Sequence, residues 1–240
     1  ELPCGGVLSD LQPLGDGNWM LATDESNHQL LLVQVKNDQV QIQQRVLVSP
    51  YPVRVVVDQQ ERFCYVTSLW SKRVTRLRLE KISGAWQATV VQAIDLPFSP
   101  RELLLLPGEL RLVVADSFGG NLALIDTAKP ATERLRLLGV RQFPGHNVRG
   151  LGLSANGKML LIAHQMLNEL AHTVRNDVHW GLLMSNDLRW LKIESLLKGG
   201  SDLYAGAHMH PLGEAGSATA DPSGLVVSRQ GVVVVTLGGV

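Results

Sequence analysis

The 240-residue sequence is poor in cysteine, in aromatic residues and in net charge. Its two cysteines, Cys4 and Cys64, exclude a disulfide framework and a four-cysteine zinc site, and neither stands in the Cys-x-x-Cys-His run that attaches haem. Lysine plus arginine equals aspartate plus glutamate, 22 against 22, so overall charge favours neither nucleic acid nor an anionic membrane. Any charged site must be local. Apolar runs such as "LLLL" at 103–106 and "VVVV" at 232–235 fall far short of the roughly 18 residues of a membrane span. No basic and apolar leader opens the sequence, which predicts a soluble chain whose signal peptide is absent or already removed. Gly-x-Ser-x-Gly, Walker A, Gly-x-Gly-x-x-Gly and His-Glu-x-x-His are also missing, which removes the common hydrolase, nucleotide-binding and zinc-protease templates.

What is present is a repeat. "RVVVDQQERFCYVTSLW" (54–70), "RELLLLPGELRLVVADSFGG" (101–120) and "RGLGLSANGKMLLIAHQ" (149–165) share one order: arginine, apolar strand, turn, apolar strand, polar residue. Arg54, Arg101 and Arg149 recur at nearly equal intervals along the chain, and Ser68, Asp116 and His164 keep the same interval. "GDGNWMLATDES" (15–26), with Asp24, is an earlier copy and "ADPSGLVVSRQGVVVVTLGG" (220–239) a later one, making five. Between copies lie further hairpins, with turns at Asn37-Asp38, Ser83-Gly84 and Lys129-Pro130. Four strands per repeat of about 40 to 50 residues is the pattern of an all-β chain folded as a β-propeller of four-stranded antiparallel blades, because one twisted blade cannot bury both of its faces alone.

The spacing predicts a single propeller domain over residues 1–240 with at least five blades. The fourth copy is longer: the interval from His164 to the equivalent Thr236 is half as long again as the intervals before it, which places an insert at about 166–218 in the fourth blade. The sequence stops after the second strand of the fifth copy, so the reading expects further blades beyond Val240 and seven in all.

In a propeller the first strand of each blade lines the channel, so Arg54, Arg101 and Arg149 are expected at one channel mouth, with His146, Asn147, Asp24, Ser68, Asp116 and His164 beside them. Two uses of the arginines stay open: pairing with carboxylates of the next blade, or an electropositive rim that receives a carboxylate, a phosphate or an acidic partner. Six of the seven histidines fall between 146 and 210. His208 and His210 can offer two imidazoles to a metal, with His164 or His146 as a third ligand and Asp202 or Glu214 nearby, although the spacing matches no strong zinc signature.

"VTSLWSKRVTRLRL", "VVADSFGGNLALID" and "LSANGKMLLIAHQ" resemble the strand-turn-strand units of YVTN-type propellers. "FSPRELLLLPGELRLVVADSFGGNLALID" with "HNVRGLGLSANGKMLLIAHQMLNELAHTVRNDVHWGLLMSN" resembles, more narrowly, the propeller portion that precedes a di-haem cytochrome c peroxidase-like domain in bacterial extracytoplasmic proteins. That resemblance implies a periplasmic or secreted recognition and docking module, with a protein domain or a small anionic ligand as partner. It also implies no cofactor within this chain and haem c in a C-terminal region beyond it. A metal-dependent lactonase-like hydrolase and a surface adhesion protein are the competing expectations.

Overall fold

The computed structural model describes residues 5–15, 17–37, 39–108, 110–127, 134–179, 183–213 and 219–238. It contains four antiparallel four-stranded sheets arranged as a β-propeller, followed by a two-stranded sheet. The first sheet is β1 (Leu8–Leu14), β2 (Trp19–Asp24), β3 (Gln29–Lys36) and β4 (Gln39–Leu47). The second is β5 (Pro52–Val57), β6 (Phe63–Ser68), β7 (Arg73–Ile82) and β8 (Ala85–Asp95), and the third β9 (Pro100–Leu105), β10 (Arg111–Asp116), β11 (Asn121–Asp126) and β12 (Arg136–Gln142). The fourth is β13 (His146–Leu153), β14 (Met159–Leu167), β15 (Met184–Lys192) and β16 (His208–Pro211), with α1 (Arg175–His179) and α2 (Ile193–Leu197) in its connections. β17 (Asp221–Val227) pairs with β18 (Val233–Gly238) as the fifth.

Burial follows strand position. The second strands are covered on both faces, so they read as unbroken apolar runs: every residue of β6 is buried, and only the first of β10 is not fully so. The fourth strands are the wet edges, and β4 and β12 are mostly exposed. Ser83 and Gly84, at φ 50° and 86°, turn β7 into β8 with both residues left-handed, the geometry that matches strand twist. The Lys129-Pro130 turn lies outside the described residues, as do Asp38, Cys4 and Glu214.

The chain divides into two compact units, Glu1–Val114 with Ile125–Leu138, and Ala115–Leu124 with Gly139–Val240. In the first unit, the facing sides of the first two sheets bury Leu14, Trp19, Leu21, Leu30, Leu32, Val66 and Leu77, at roughly 1.5 to 3 kcal/mol for each large side chain. A repeated polar staple joins neighbouring sheets there. The Gln44 amide donates to the Ala88 carbonyl (3.0 Å) and accepts from the Ala88 N–H (2.8 Å). Gln92, at the same place in the next repeat, does likewise with Leu135 (3.4 and 2.7 Å).

In the second unit, Leu161, Ala163 and Leu188 pack against Leu225, Val227, Val233 and Val235 of the fifth sheet. Gly150 and Gly152 on β13 make that approach feasible. A Cβ at Gly150 would lie 2.4 Å from the Leu225 Cβ and 2.9 Å from its backbone nitrogen. The long fourth repeat is accounted for by the connections of this sheet: α1 lies between β14 and β15, and α2 with the segment 198–207 lies between β15 and β16.

Candidate functional site

The first-strand arginines do not share one environment. In the first unit, Arg54 donates from Nη1 to Asp10 on β1 (3.1 Å) and from Nε to Glu102 on β9 (3.0 Å), while the second Asp10 oxygen accepts from the Val55 N–H (2.9 Å). Arg101 stands 3.8 Å from Glu102, and its backbone carbonyl accepts from the Thr67 hydroxyl (2.7 Å). Two guanidiniums therefore face two carboxylates, and the cluster ties together the first strands of three successive sheets. Burial works against the Arg54 charge, but Glu102 and Asp10 outweigh it and hold its pKa above the ordinary value. This is the pairing alternative of the sequence reading: the anion that Arg54 needs is supplied from within the chain.

The repeated polar position at the end of each second strand is buried, and three of its four occupants close loops. Asp24 accepts from the Asn27 N–H (3.0 Å) and side-chain amide (2.8 Å). Asp116 accepts from the Phe118 N–H (3.0 Å) and the Asn121 amide (2.6 Å), and the Ser68 hydroxyl donates to the Ser49 carbonyl (2.8 Å). These side chains take over backbone polar groups that the turns would otherwise leave unmade.

The fourth copy differs. His164, fully buried, stands where the others carry Asp or Ser. Arg189, paired across the sheet with Ile162 and itself only 7% exposed, reaches it from β15 and donates from Nε to His164 Nε2 (3.3 Å). A guanidinium N–H can only donate, so Nε2 carries the lone pair and the His164 proton sits on Nδ1, 2.9 Å from the Gln165 carbonyl. Burial, opposed by that hydrogen bond and reinforced by Arg189, pushes the His164 pKa below the usual histidine value. The imidazole is neutral.

Arg189 has no carboxylate within ion-pair distance among the described residues. Its Nη2 donates to the Met209 sulfur (3.1 Å), and its guanidinium lies 5.5 Å from the Phe143 ring and 5.6 Å from the Tyr204 ring. Phe143 also meets His164 edge-on at 5.1 Å. Asp187, the buried acid on the same strand, is engaged by the Ser185 hydroxyl (2.6 Å). Burial pulls the Arg189 pKa down from its very high starting point, against the opposing attraction of Tyr204 and Asp187. A cation in an apolar and aromatic cage, with one edge of the guanidinium unclaimed by acceptors among the described residues, is a site suited to an anionic group.

Of the remaining expected residues, His146, Asn147 and Arg149 lie towards the Gln165 end of the fourth sheet, whereas His208 and His210 lie on its outer strand. His146, exposed, pairs with Gln165 across β13 and β14, and its Nδ1 is 3.3 Å from the Phe118 carbonyl. Asn147, at φ 50°, donates to the Gln165 side chain (3.0 Å), which donates to Asn186 (3.2 Å) and to Asp221 on β17 (2.6 Å). Arg149 donates to the Ser117 hydroxyl (3.2 Å). His208 and His210 lie on β16, packed on Trp190 at 4.8 and 5.0 Å. Among the described residues, no group of three His, Cys, Asp or Glu is placed to hold a metal ion, so neither His164, His146 nor Asp202 joins this pair.

Sequence reasoning found His164 and missed Arg189, Tyr204 and Met209. The signal was "DLRWL": an arginine set between Leu188 and Leu191, both of which are buried. Only the pairing of β14 with β15 turns that into a contact.

No family model matches the chain, and no curated protein matches it. Solved structures do. Hydrazine synthase of Kuenenia stuttgartiensis aligns with a TM-score of 0.58 at 16% identity, covering 93% of this chain and 71% of that one. A periplasmic gluconolactonase of Pseudomonas aeruginosa aligns with 0.58 at 19%, covering 78% and 50%. A protein of unknown function from Desulfotomaculum acetoxidans aligns with 0.65 at 12%, covering 97% and 63%. The chain thus spans half the length of the gluconolactonase chain. At such identities the likeness establishes the β-propeller fold and leaves function to the site.

Proposed function

We propose that the chain is a non-catalytic recognition module of an extracytoplasmic protein, and that it holds an anionic group of a small ligand or partner domain at the Arg/His end of its fourth sheet. The observation that carries this reading is Arg189: a guanidinium almost wholly withdrawn from water, hydrogen-bonded to a neutral imidazole and a thioether, with no described carboxylate in ion-pair contact and only Asp187 attracting it from further off. Such a charge is costly unless an anion meets it. Arg189 therefore sets the anionic site apart from Arg54, whose charge Asp10 and Glu102 already balance. His146, Asn147 and Arg149 border the same end of the sheet and extend the surface a partner would touch.

A thermal-shift titration with sulfate, phosphate and gluconate tests this. The native protein is expected to gain several degrees with at least one of these anions relative to chloride, and Arg189→Met to gain none, since a ligand that binds only the folded state raises its melting temperature. Equal shifts in both proteins, or no shift in either, would sink the reading.

The extracytoplasmic location rests on the resemblance of "FSPRELLLL" onward to periplasmic propellers, and the periplasmic gluconolactonase likeness agrees with it. Among the described residues no helix is long and apolar enough to cross a membrane. The same resemblance supports a haem-associated redox protein, with haem c carried outside residues 1–240, and the units such as "VTSLWSKRVTRLRL" support a YVTN-type propeller; a Soret band in the protein isolated from its source checks the haem association. A second reading, a lactonase-like hydrolase, is favoured by the gluconolactonase likeness. Turnover of glucono-δ-lactone that disappears in His164→Gln would replace the non-catalytic reading with this one.

A further inference from the structure

At the opposite end of the fourth sheet, where β13 turns into β14, lies a cleft of about 880 Å³, within the range of roughly 300 to 1,000 Å³ typical of small-molecule sites. Met159, Ile193 and Leu197 give it an apolar lining, and Lys158, Lys192 and Lys198 line it as well, the Lys192 ammonium lying against Gly206. Leu197 is 44% exposed although it belongs to a helix whose neighbouring Leu196 is fully buried. None of the three ammonium groups is ion-paired with a described carboxylate. Glu194, the acid that shares the lining, lies beyond ion-pair distance of all three, so the cleft carries an excess of two positive charges, three lysines less one glutamate.

The walls are held rigidly. In the turn, the Ser154 hydroxyl donates to the Asn156 side chain (2.7 Å), which also accepts from the Lys158 N–H (3.0 Å), and the Met159 N–H donates to the Ser154 hydroxyl (2.9 Å). The Ile193 N–H donates to the Lys158 carbonyl (2.9 Å), fastening the start of α2 to that turn. At the other end of α2, Arg141 donates to the carbonyls of Ser195 (3.1 Å), Lys198 (2.8 Å) and Ser201 (2.6 Å). The Ser201 hydroxyl adds bonds to Ser195 and Lys198 (2.9 and 2.7 Å). A clamp of this kind keeps Leu197 presented to solvent instead of letting the helix settle onto its own apolar face. It also fixes the backbone from which Lys198 projects, while the exposed lysine side chains themselves are ordered only on binding.

We infer that this cleft binds a free, single-chain amphiphile with an anionic head, such as a medium-chain carboxylate: the tail covers Met159, Ile193 and Leu197 while the head meets the lysine ammoniums. The chemistry follows from the pairing of an apolar lining with unpaired cations. A purely inorganic anion would leave that lining wet, and an uncharged apolar ligand would leave the ammoniums without partners.

The test is isothermal titration with dodecanoate, below its aggregation concentration, against dodecyltrimethylammonium, which has the same tail and the opposite charge. The native protein is expected to bind one dodecanoate and to prefer it at least tenfold over the cation. Lys192→Glu combined with Lys198→Glu, both at exposed positions, is expected to weaken dodecanoate at least tenfold with an unchanged circular dichroism spectrum, and to favour the cation. Arg189→Met is expected to leave dodecanoate affinity within twofold, which separates this site from the one at His164. No dodecanoate binding, equal affinity for both amphiphiles, equal affinity in the charge-reversed variant, or binding seen only to phosphatidylglycerol vesicles would overturn the inference.

Discussion

Arg189 donates from Nε to the Nε2 of His164 at 3.3 Å, and that one contact fixes the tautomer of a fully buried histidine. Protonating His164 requires a second proton on the nitrogen that already accepts from a guanidinium. The native state therefore resists protonation that the unfolded chain, with an ordinary histidine value of about 6.5, accepts readily. With the folded value lowered, the unfolded state binds more protons across the window between the two values. The stability held by neutral His164 is thus fully present above about pH 7 and is lost as the pH falls through that unfolded value towards the folded one.

Urea unfolding at pH 8 and pH 5 should expose this difference. The midpoint of the native protein is expected to fall between the two pH values by more than that of His164→Gln, whose side chain does not titrate. Equal falls would show that other groups carry the pH dependence.

Arg54→Met should be among the most damaging single changes in the first unit. It leaves Asp10 and Glu102 without their shared cation while both stay largely enclosed, and removing one partner of such a cluster costs roughly 2 to 4 kcal/mol after allowing for partial exposure. Glu102→Gln should be milder, because burial already raises the pKa of that carboxyl against the pull of Arg54 and Arg101. Chemical denaturation of the two variants gives the comparison directly.

Gln44→Ala removes one sheet-to-sheet staple, leaving the N–H and carbonyl of Ala88 without their side-chain partner. A loss of about 1 to 3 kcal/mol is expected, the range for buried backbone groups deprived of a bond. Gln92→Ala should behave alike through Leu135, since the same geometry recurs one repeat later. A clear effect at one position and none at the other would show that the repeat is not an energetic one.

Gly150→Ala is expected to loosen the fifth sheet. The added methyl would press on the Leu225 side chain and backbone, so β17 must shift, at a cost of roughly 1 to 3 kcal/mol. Amide hydrogen exchange over residues 221–238 should quicken in the variant while β6 and β7 in the first unit keep their protection.

Cys64 is buried with 0% exposure, and its surroundings push its thiol pKa strongly upward, first by desolvation and then by Asp58. In the folded protein the peptide containing it should escape alkylation by iodoacetamide at pH 8 and become labelled only in denaturant. Labelling at the native rate of a free thiol would mean that the second sheet opens readily.

Strand pattern and repeat length by themselves determined the β-propeller, its four-stranded unit, the Ser83-Gly84 turn and the anomalous fourth repeat. Those features are local: an alternation of side chains, a left-handed turn and a regular interval between like residues are written along the chain. The partners of the polar residues were decided elsewhere. Arg54 and Arg189 look alike in sequence, each an arginine in an apolar strand. Folding sets Arg54 between Asp10 of the preceding sheet and Glu102 of the following one, and leaves Arg189 with His164, Met209 and two rings. Asp24, Ser68 and Asp116 recur at one position of the repeat, but which loop groups each of them bonds is set by the fold. The physical reason is the same throughout. Hydrogen bonding along a strand depends on neighbours in the chain, whereas the compensation of a buried charge depends on which side chains the packing of sheet faces brings together.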